Sequence, residues 1–575
     1  MVSIDVAGRE DDPGVDSRRA ALHRRSERDR RRAPGGDDLD PPHLSVGELH
    51  VASQLEPERA DVELLCAILV ACRDGHATHF GDVQLAGHRR LLLVRRNVTA
   101  QTAGRGETHR SRFRCAVVRG VKLAAGLLLA LIVPLVVPSH ASAACKTIVV
   151  TKVAVSYPHV TTIQAGVNRA KPCDWVLVAP GRYHERVVVG TSHLHLRGLN
   201  RNTVIVDGLH GVGHGILVEK ASDVWIENLT VRNWDRKSRD DEASGGNEIW
   251  FNGGDESGTI GADGWHGNWL TTYDTGLRGG YGLFTSNSVN GEFNHVYASG
   301  FNDSGVYIGA CRDCFAMVSH ALVERSALGF SGTNAGGHLI VQHSVFRLNA
   351  VGVGPNSLPN DIPPPQLGTC DSGSNTSPTP TITTTKLARC TIFRRNVITN
   401  NSNLTTPGNE TSLQLPWGVG LEPVGTYGDL FTKNVISGNK NFGILGVENP
   451  VPFPPTADTI YFQLAGNAFT NNTVTGGGYA NIALAGGLFG AQQSVDNCFE
   501  GNAFKTSLPA DLSPWSCSLD TTPNPDPVAV GKLFTIILRL QTQSLARKSV
   551  GQPAPPAQPT MPKPCAGAPK NPLCR

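Results

Sequence analysis

A chain of 575 residues is long enough for several compact domains or for one extended repeat domain. Its 63 glycines and a charged fraction of only 18% argue against a helical bundle and for a fold with many tight turns. The net charge of +3 is unevenly spread, because residues 144–575 hold 31 Lys+Arg against 31 Asp+Glu and so carry no nucleic-acid footprint.

In chain order, residues 1–115 come first, with 19 Arg and no Lys, Trp or Tyr. Arg-rich runs such as Arg30-Arg31-Arg32 admit a basic nucleic-acid arm. The poor core-forming composition favours the other reading, a disordered leader or translated sequence upstream of the true start. Residues 116–143 read as a secretory signal. Arg112, Arg114, Arg119 and Lys122 precede the apolar run Leu123–Val137, and Ala141-Ser142-Ala143 offers a small-residue cleavage site. The apolar run is too short to span a bilayer comfortably, so contact with a membrane is expected only during export. Such a signal should open a chain, which places the expected start near Val117 or Val118. A lipid anchor at Cys145 is disfavoured by Ser142, which stands where such signals carry Leu.

Ten cysteines follow the cleavage site: Cys145, Cys173, Cys311, Cys314, Cys370, Cys390, Cys498, Cys517, Cys565 and Cys574. An even number suits an oxidising, extracellular or cell-envelope setting. Pairing in sequence order is expected because each pair closes a local loop, although spacing alone does not establish connectivity. Cys311-x-x-Cys314 could instead be a redox motif or half of a zinc site, but no second pair stands at zinc spacing.

Between Cys145 and Cys517 a pattern repeats. A polar residue follows a short β-type stretch, and a second corner residue comes five positions later. Examples are Asn228/Asn233, His295/Gly300, His320/Arg325, His343/Leu348, Asn396/Asn401, Asn434/Asn439 and Asn467/Asn472. Glycines open the apolar strands that follow, and Gly282, Gly305, Gly329 and Gly352 are 23, 24 and 23 residues apart. The step from Gly215 to Gly282 is 67 residues, close to three such periods. Two or three short strands with their turns fill one coil of a solenoid at this period. A recurring Asn at one turn can hydrogen-bond to the coils above and below.

The stretch Thr162-Ile-Gln-Ala-Gly-Val-Asn-Arg-Ala-Lys-Pro-Cys-Asp-Trp-Val-Leu-Val-Ala-Pro-Gly-Arg-Tyr183 resembles the opening of the pectin-lyase-like superfamily of right-handed parallel β-helix proteins. The resemblance covers about residues 145–517. It implies an all-β solenoid with a short N-terminal helical cap. The expected domains are a β-helix over 144–520 and, over 521–575, a Pro-rich linker, a short helix around Val528–Arg547 that could cover the open end, and a Pro-rich tail. Asp235–Thr272, Asn356–Lys386 and Glu448–Thr459 read as inserted loops. Such loops tend to gather on a binding face.

The superfamily hosts lyases, hydrolases, epimerases and non-catalytic proteins, so the resemblance implies no single reaction. Gly213-His214-Gly215 looks like part of a polygalacturonase motif, but it lacks the Asn-Thr-Asp and Arg-Ile-Lys that accompany it there, and His214 reads as a turn residue. The Asp-Pro-His-Asp signature of alginate epimerases is absent. The catalytic candidates are Asp303 and Asp274 as acid or base, with Arg278 or Arg312 to hold a substrate carboxylate. Against this, turn Asp and Asn are expected in any β-helix. The substrate-binding candidates are Trp265, Trp269, Tyr273, Tyr307, Asn334 and His338, which could also be anchors for loops. No cofactor is evident. Aspartates could hold calcium, but none forms a recognised calcium signature. Two function classes follow: a secreted protein that binds or processes an extracellular polysaccharide, or a non-catalytic structural or adhesive envelope protein. They are distinguished by whether a groove opens beside Asp303 or whether Asp274 and Asp303 are merely tied into turns.

Overall fold

The computed structural model describes residues 144–574, apart from 255–259, 360–367, 371–387, 452–458, 486–495 and 524–526. The leader and the signal segment therefore lie outside the described residues. From Thr147 onward the chain winds through three parallel sheets, one strand per sheet in each coil. Sheet A has 12 strands, from Thr147–Val150 to Cys498–Glu500. Sheet B has 10, from Gly181–Tyr183 to Thr473–Gly476, and sheet C has 11, from Val187–Val189 to Ser507–Leu508. This is a parallel β-helix, as the repeat predicts.

Stacking in register builds the core. In sheet A one inward column runs through Val176, Leu196, Ile226, Gly267, Phe293, Val318, Val341, Phe393, Phe431, Phe469 and Phe499. The last four rings stack at 4.9–5.1 Å between centroids. Gly267 is the break in the column, since a Cβ there would lie 2.6 Å from the Phe293 ring. Sheet C carries a matching column through Ile216, Ile249, Leu283, Val306, Phe330, Val353, Leu421, Ile444 and Ile482. Helix α1 (Ile163–Arg169) places Ile163 and Val167 in the same core beside Val150 and Val176. Thr162 caps it by accepting from Ala165 N, and the Glu185 carboxylate accepts from Ile163 N and Gln164 N. At the other end Leu512 and Trp515 join the core near Phe499.

The five-residue spacing measures the width of sheet B between its two corners, but the recurrent pairs fall in two phases. Asn228/Asn233, His320/Arg325 and His343/Leu348 hold left-handed backbone at both corners, with φ between 50° and 58°. His295 does the same, and Gly300 follows it with φ 88°. Asn396/Asn401 and Asn434/Asn439 stand one position later and form buried amide ladders. Asn434 accepts from Asn396 N and Nδ2 at 3.0 and 3.1 Å, and its own Nδ2 donates to Phe393 O and Asn472 Oδ1, both at 3.0 Å. Asn349, Asn401 and Asn439 repeat this at the next corner. The pair Asn467/Asn472 flanks the sheet A strand Ala468–Thr470 instead.

Three expectations are corrected. Asp235–Thr272 is no excursion. It contains Asn247–Asn252 of sheet C and Ala262–Asn268 of sheet A, and runs into Thr271–Tyr273 of sheet B. Ile216, Ile249 and Leu283 are successive neighbours, so Gly215 to Gly282 spans two coils rather than three, each lengthened by corner loops. The C-terminal helix, named α3 (Pro527–Leu545) after the short α2 (Glu410–Leu413), does not cover the open end. Its Leu533, Ile537 and Leu540 pack with Val419, Phe442, Leu445, Ala480 and Ala483 on the flank of sheet C. The tail then turns back along the solenoid. Val550 N donates to Thr405 O, Gln558 pairs with Asn202, and Arg197 donates to Pro564 O and Ala566 O near the first coils.

The disulfides pair in sequence order: Cys145–Cys173, Cys311–Cys314, Cys370–Cys390, Cys498–Cys517 and Cys565–Cys574.

Two outcomes follow. Asn434→Ala strips partners from buried groups on two adjacent coils and should cost about 3 kcal/mol in chemical denaturation. Phe431→Ala opens a cavity inside the ring stack and should cost about 3–5 kcal/mol in the same assay.

Candidate functional site

The candidate residues separate into different regions. Trp265 is 1% exposed and belongs to the core between Phe251 and Phe293, which removes it from any solvent-facing sugar platform. Trp269 sits at the corner between sheets A and B with φ 56°, stacked on His295 at 4.2 Å. Tyr273 is a buried partner of the Arg232 guanidinium on sheet B. They scatter because they lie on three different elements, a sheet A strand, the following corner and a sheet B strand. Asn334 is buried, exchanging hydrogen bonds with Leu358 N and O at 3.0 and 2.8 Å, so it holds a turn. His338 stacks on Phe315 and faces Asp313 at 3.3 Å. Arg312 shares that corner between sheets C and A. It is separated from Asp303 by the strand Ser304–Gly309, about 20 Å of extended chain. Arg312 and Asp303 are therefore not one constellation.

Asp274 and Arg278 belong to an acidic corner between sheets B and C. His210 Nδ1 lies 3.3 Å from Asp235 Oδ1 and 3.5 Å from Asp274 Oδ1, and Arg278 Nη2 is 2.8 Å from Asp235 Oδ2. Asp274 also accepts from Gly276 N and Gly279 N. Burial, and then the nearby Asp235 charge, push the Asp274 carboxyl up to about 6. Burial, reinforced by the Asp274 charge, raises the fully buried Glu248 well above the usual carboxylate range. The ligand atoms of His210, Asp235 and Asp274 lie within 4.8 Å of one another, a spacing a divalent cation could bridge. One imidazole with two carboxylates suits a transition ion better than calcium. Against a cation, Arg278 already neutralises Asp235, and Asp274 spends its oxygens on backbone N–H groups. Arg278 is thus committed to Asp235 rather than to a substrate carboxylate.

The larger feature is a cleft of about 960 Å³ against the outer face of sheet C. Its floor is an aromatic group. Phe284 and Tyr307 are register neighbours, with rings 4.7 Å apart at 80°, and Tyr281 stacks on Phe284 at 4.6 Å. Trp250 continues the column beyond the cleft, 5.1 Å from Phe284. Asp303 closes one side, accepting from Tyr281 Oη at 3.2 Å, Asn409 Nδ2 at 2.9 Å and Ser304 Oγ at 2.9 Å. Asn409 caps α2, so the loop that carries it is fastened to the cleft wall by the same carboxylate. Glu422 lies in the Tyr307 column, next to Leu421, which pairs with Val353. It is 1% exposed, its Oε2 has no hydrogen-bond partner, and burial raises its carboxyl well above the usual range. Phe534, Ile537 and Leu538 of α3 form the facing wall.

Of the candidates, Tyr307 and Asp303 line the cleft. Tyr281, Phe284 and Glu422 were missed. The alternation Leu283-Phe284 and Val306-Tyr307-Ile308 could have marked an outward aromatic pair, whereas nothing local places Glu422 beside them. Asp303 and Glu422 are three strand steps apart, about 14 Å, and offset by four residues along the strand, roughly 13 Å more. That exceeds the roughly 5–10 Å at which two carboxyl groups share one glycosidic bond. A groove does open beside Asp303, and Asp274 is tied into its turn.

Because Asp274 is raised in the folded state, its ionisation penalises folding as pH climbs from about 4 to 6. Asp274→Asn, which loses one backbone acceptor at every pH, should lack this pH-dependent loss, so the stability difference should move in its favour by up to about 3 kcal/mol between pH 4 and pH 7, read from paired denaturation curves.

No protein-family model and no curated protein matches the sequence. Similar solved structures include an alginate lyase from Paenibacillus sp. str. FPU-7, at 12% identity over 64% of this chain and 96% of that one, with TM-score 0.31. They also include the pectin methylesterase PemA from Erwinia chrysanthemi, at 14% over 58% and 90%, with TM-score 0.27. A lacto-N-biosidase from Eubacterium ramulus matches at 11% over 62% and 65%, with TM-score 0.36. Likeness at this level carries no residue role across. The three stacked parallel sheets themselves make this chain a parallel β-helix protein.

Proposed function

We propose that this is an exported protein that binds an extracellular polysaccharide in the cleft on sheet C. The single observation that carries the reading is the outward pair Phe284 and Tyr307 on the cleft floor, in a column parallel to the solenoid axis that Trp250 continues beyond the cleft. An aromatic cluster on the floor of a cleft aligned with the axis suits a polymer of rings lying in the same direction, because its apolar surface meets sugar C–H groups while hydroxyls reach polar groups at the sides. Ser331, Thr333, Asn356 and Gln414 supply such groups. Five disulfides fit an oxidising compartment.

A second reading, a non-catalytic structural or adhesive envelope protein, draws on the hydrogen bonds that commit Asp274 to its turn and Asp303 to Tyr281, Asn409 and Ser304. Binding without turnover is common ground between the two. Chemistry would appear as new reducing ends or unsaturated products that vanish in Asp303→Ala.

The test is affinity electrophoresis or calorimetry of the purified protein against a panel of soluble polysaccharides. Phe284→Ala and Tyr307→Ala should each weaken binding at least tenfold, while Trp269→Ala, on a different corner, leaves it unchanged. Equal binding by all three variants would place the polymer elsewhere and sink the cleft reading.

A further inference from the structure

We infer that the cleft takes an uncharged polysaccharide and excludes uronic-acid polymers; this rests on the polysaccharide reading above and narrows it. The ionisable side chains that line it, other than tyrosine, are Glu242, Asp303, Glu422 and Glu448, and among the described residues no Lys, Arg or His joins them. The cations on the neighbouring loop, Arg236, Lys237 and Arg239, do not line the cleft. Arg236 is fully buried, with its guanidinium 5.2 Å from the centre of the Tyr281 ring and an ion pair to Glu242, and Arg239 lines the acidic corner around His210 and Asp235.

A uronate carboxylate entering this cleft would lose water, face carboxyl groups and find no guanidinium or ammonium. Burying an unpaired charge is strongly unfavourable. A bridging cation would relieve this, but among the described residues the group spaced to hold one is His210, Asp235 and Asp274, none of which lines the cleft. A neutral polymer meets no such penalty. Its hydroxyls can donate to Asp303 and exchange hydrogen bonds with Ser331, Asn356 and Gln414, and its C–H groups can pack against the aromatic surface of Phe284 and Tyr307. Glu422 supplies the independent sign of a ligand. Its Oε2 is buried in the cleft wall without a protein partner, and a sugar hydroxyl would satisfy it.

The experiment titrates the purified full chain with uncharged polymers (xyloglucan, galactomannan, dextran), anionic polymers (polygalacturonate and alginate, each with and without Ca²⁺) and cationic chitosan, at low and high salt. The expected result is binding to at least one uncharged polymer with little salt dependence. Binding to polygalacturonate and alginate should be at least tenfold weaker in either arm. Thr411→Lys with Gln414→Lys, both on the exposed cleft rim, should raise alginate affinity about tenfold at low salt. An anionic or cationic polymer bound as tightly as the best neutral one, and lost in Tyr307→Ala, would overturn the inference while leaving the cleft as the site. Failure to bind any polymer would instead overturn the polysaccharide reading on which it rests.

Discussion

Everything in this molecule depends on parallel register between successive coils. Each strand satisfies its backbone through the coil before and the coil after, so each side chain lies directly over its counterpart one coil away. A column of like residues is the natural result, and the phenylalanine stack from Phe393 to Phe499 shows it most clearly. The same constraint makes the corners demanding. Backbone groups freed at a buried turn cannot reach water, and an asparagine amide has both the donor and the acceptor needed to bridge to the next coil. Asn396, Asn434 and Asn472 do this at one corner of sheet B, and Asn349, Asn401 and Asn439 do it at the other. Where a corner is less buried, ring stacking replaces the amide, as with Trp269, His295, His320 and His343.

The same stacking makes a functional surface. Inward columns fill the core, so outward columns become continuous stripes along the axis. On sheet C the Phe284 and Tyr307 end of the stripe that starts at Trp250 becomes a cleft floor because α3 and the loop around α2 rise beside it. On sheet A the stripe Trp175, His195, Trp225 and His266 stacks as closely, but the C-terminal tail lies against it near Trp175. Two similar stripes thus differ in access because of segments that come from the far end of the chain. The acidic corner around Asp274 is a third consequence, since three carboxyl groups brought together by stacking need His210 and Arg278 as counterweights.

The amino-acid sequence by itself determined the solenoid. The spacing between Gly282, Gly305, Gly329 and Gly352, the short helix that opens at Ile163 and the order of the cysteines are local features, and each is present in the structure. It was less reliable where a corner loop lengthened a coil, which is why Asp235–Thr272 looked like an excursion and is in fact a full coil. Tertiary structure alone decided which outward residues meet. Tyr307 and Glu422 are 115 positions apart yet share one column, and α3 reaches the same cleft from the end of the chain. Local periodicity depends on neighbours along the chain, whereas a site on a solenoid flank depends on how many residues each corner inserts, and that sum is set only when the coils stack.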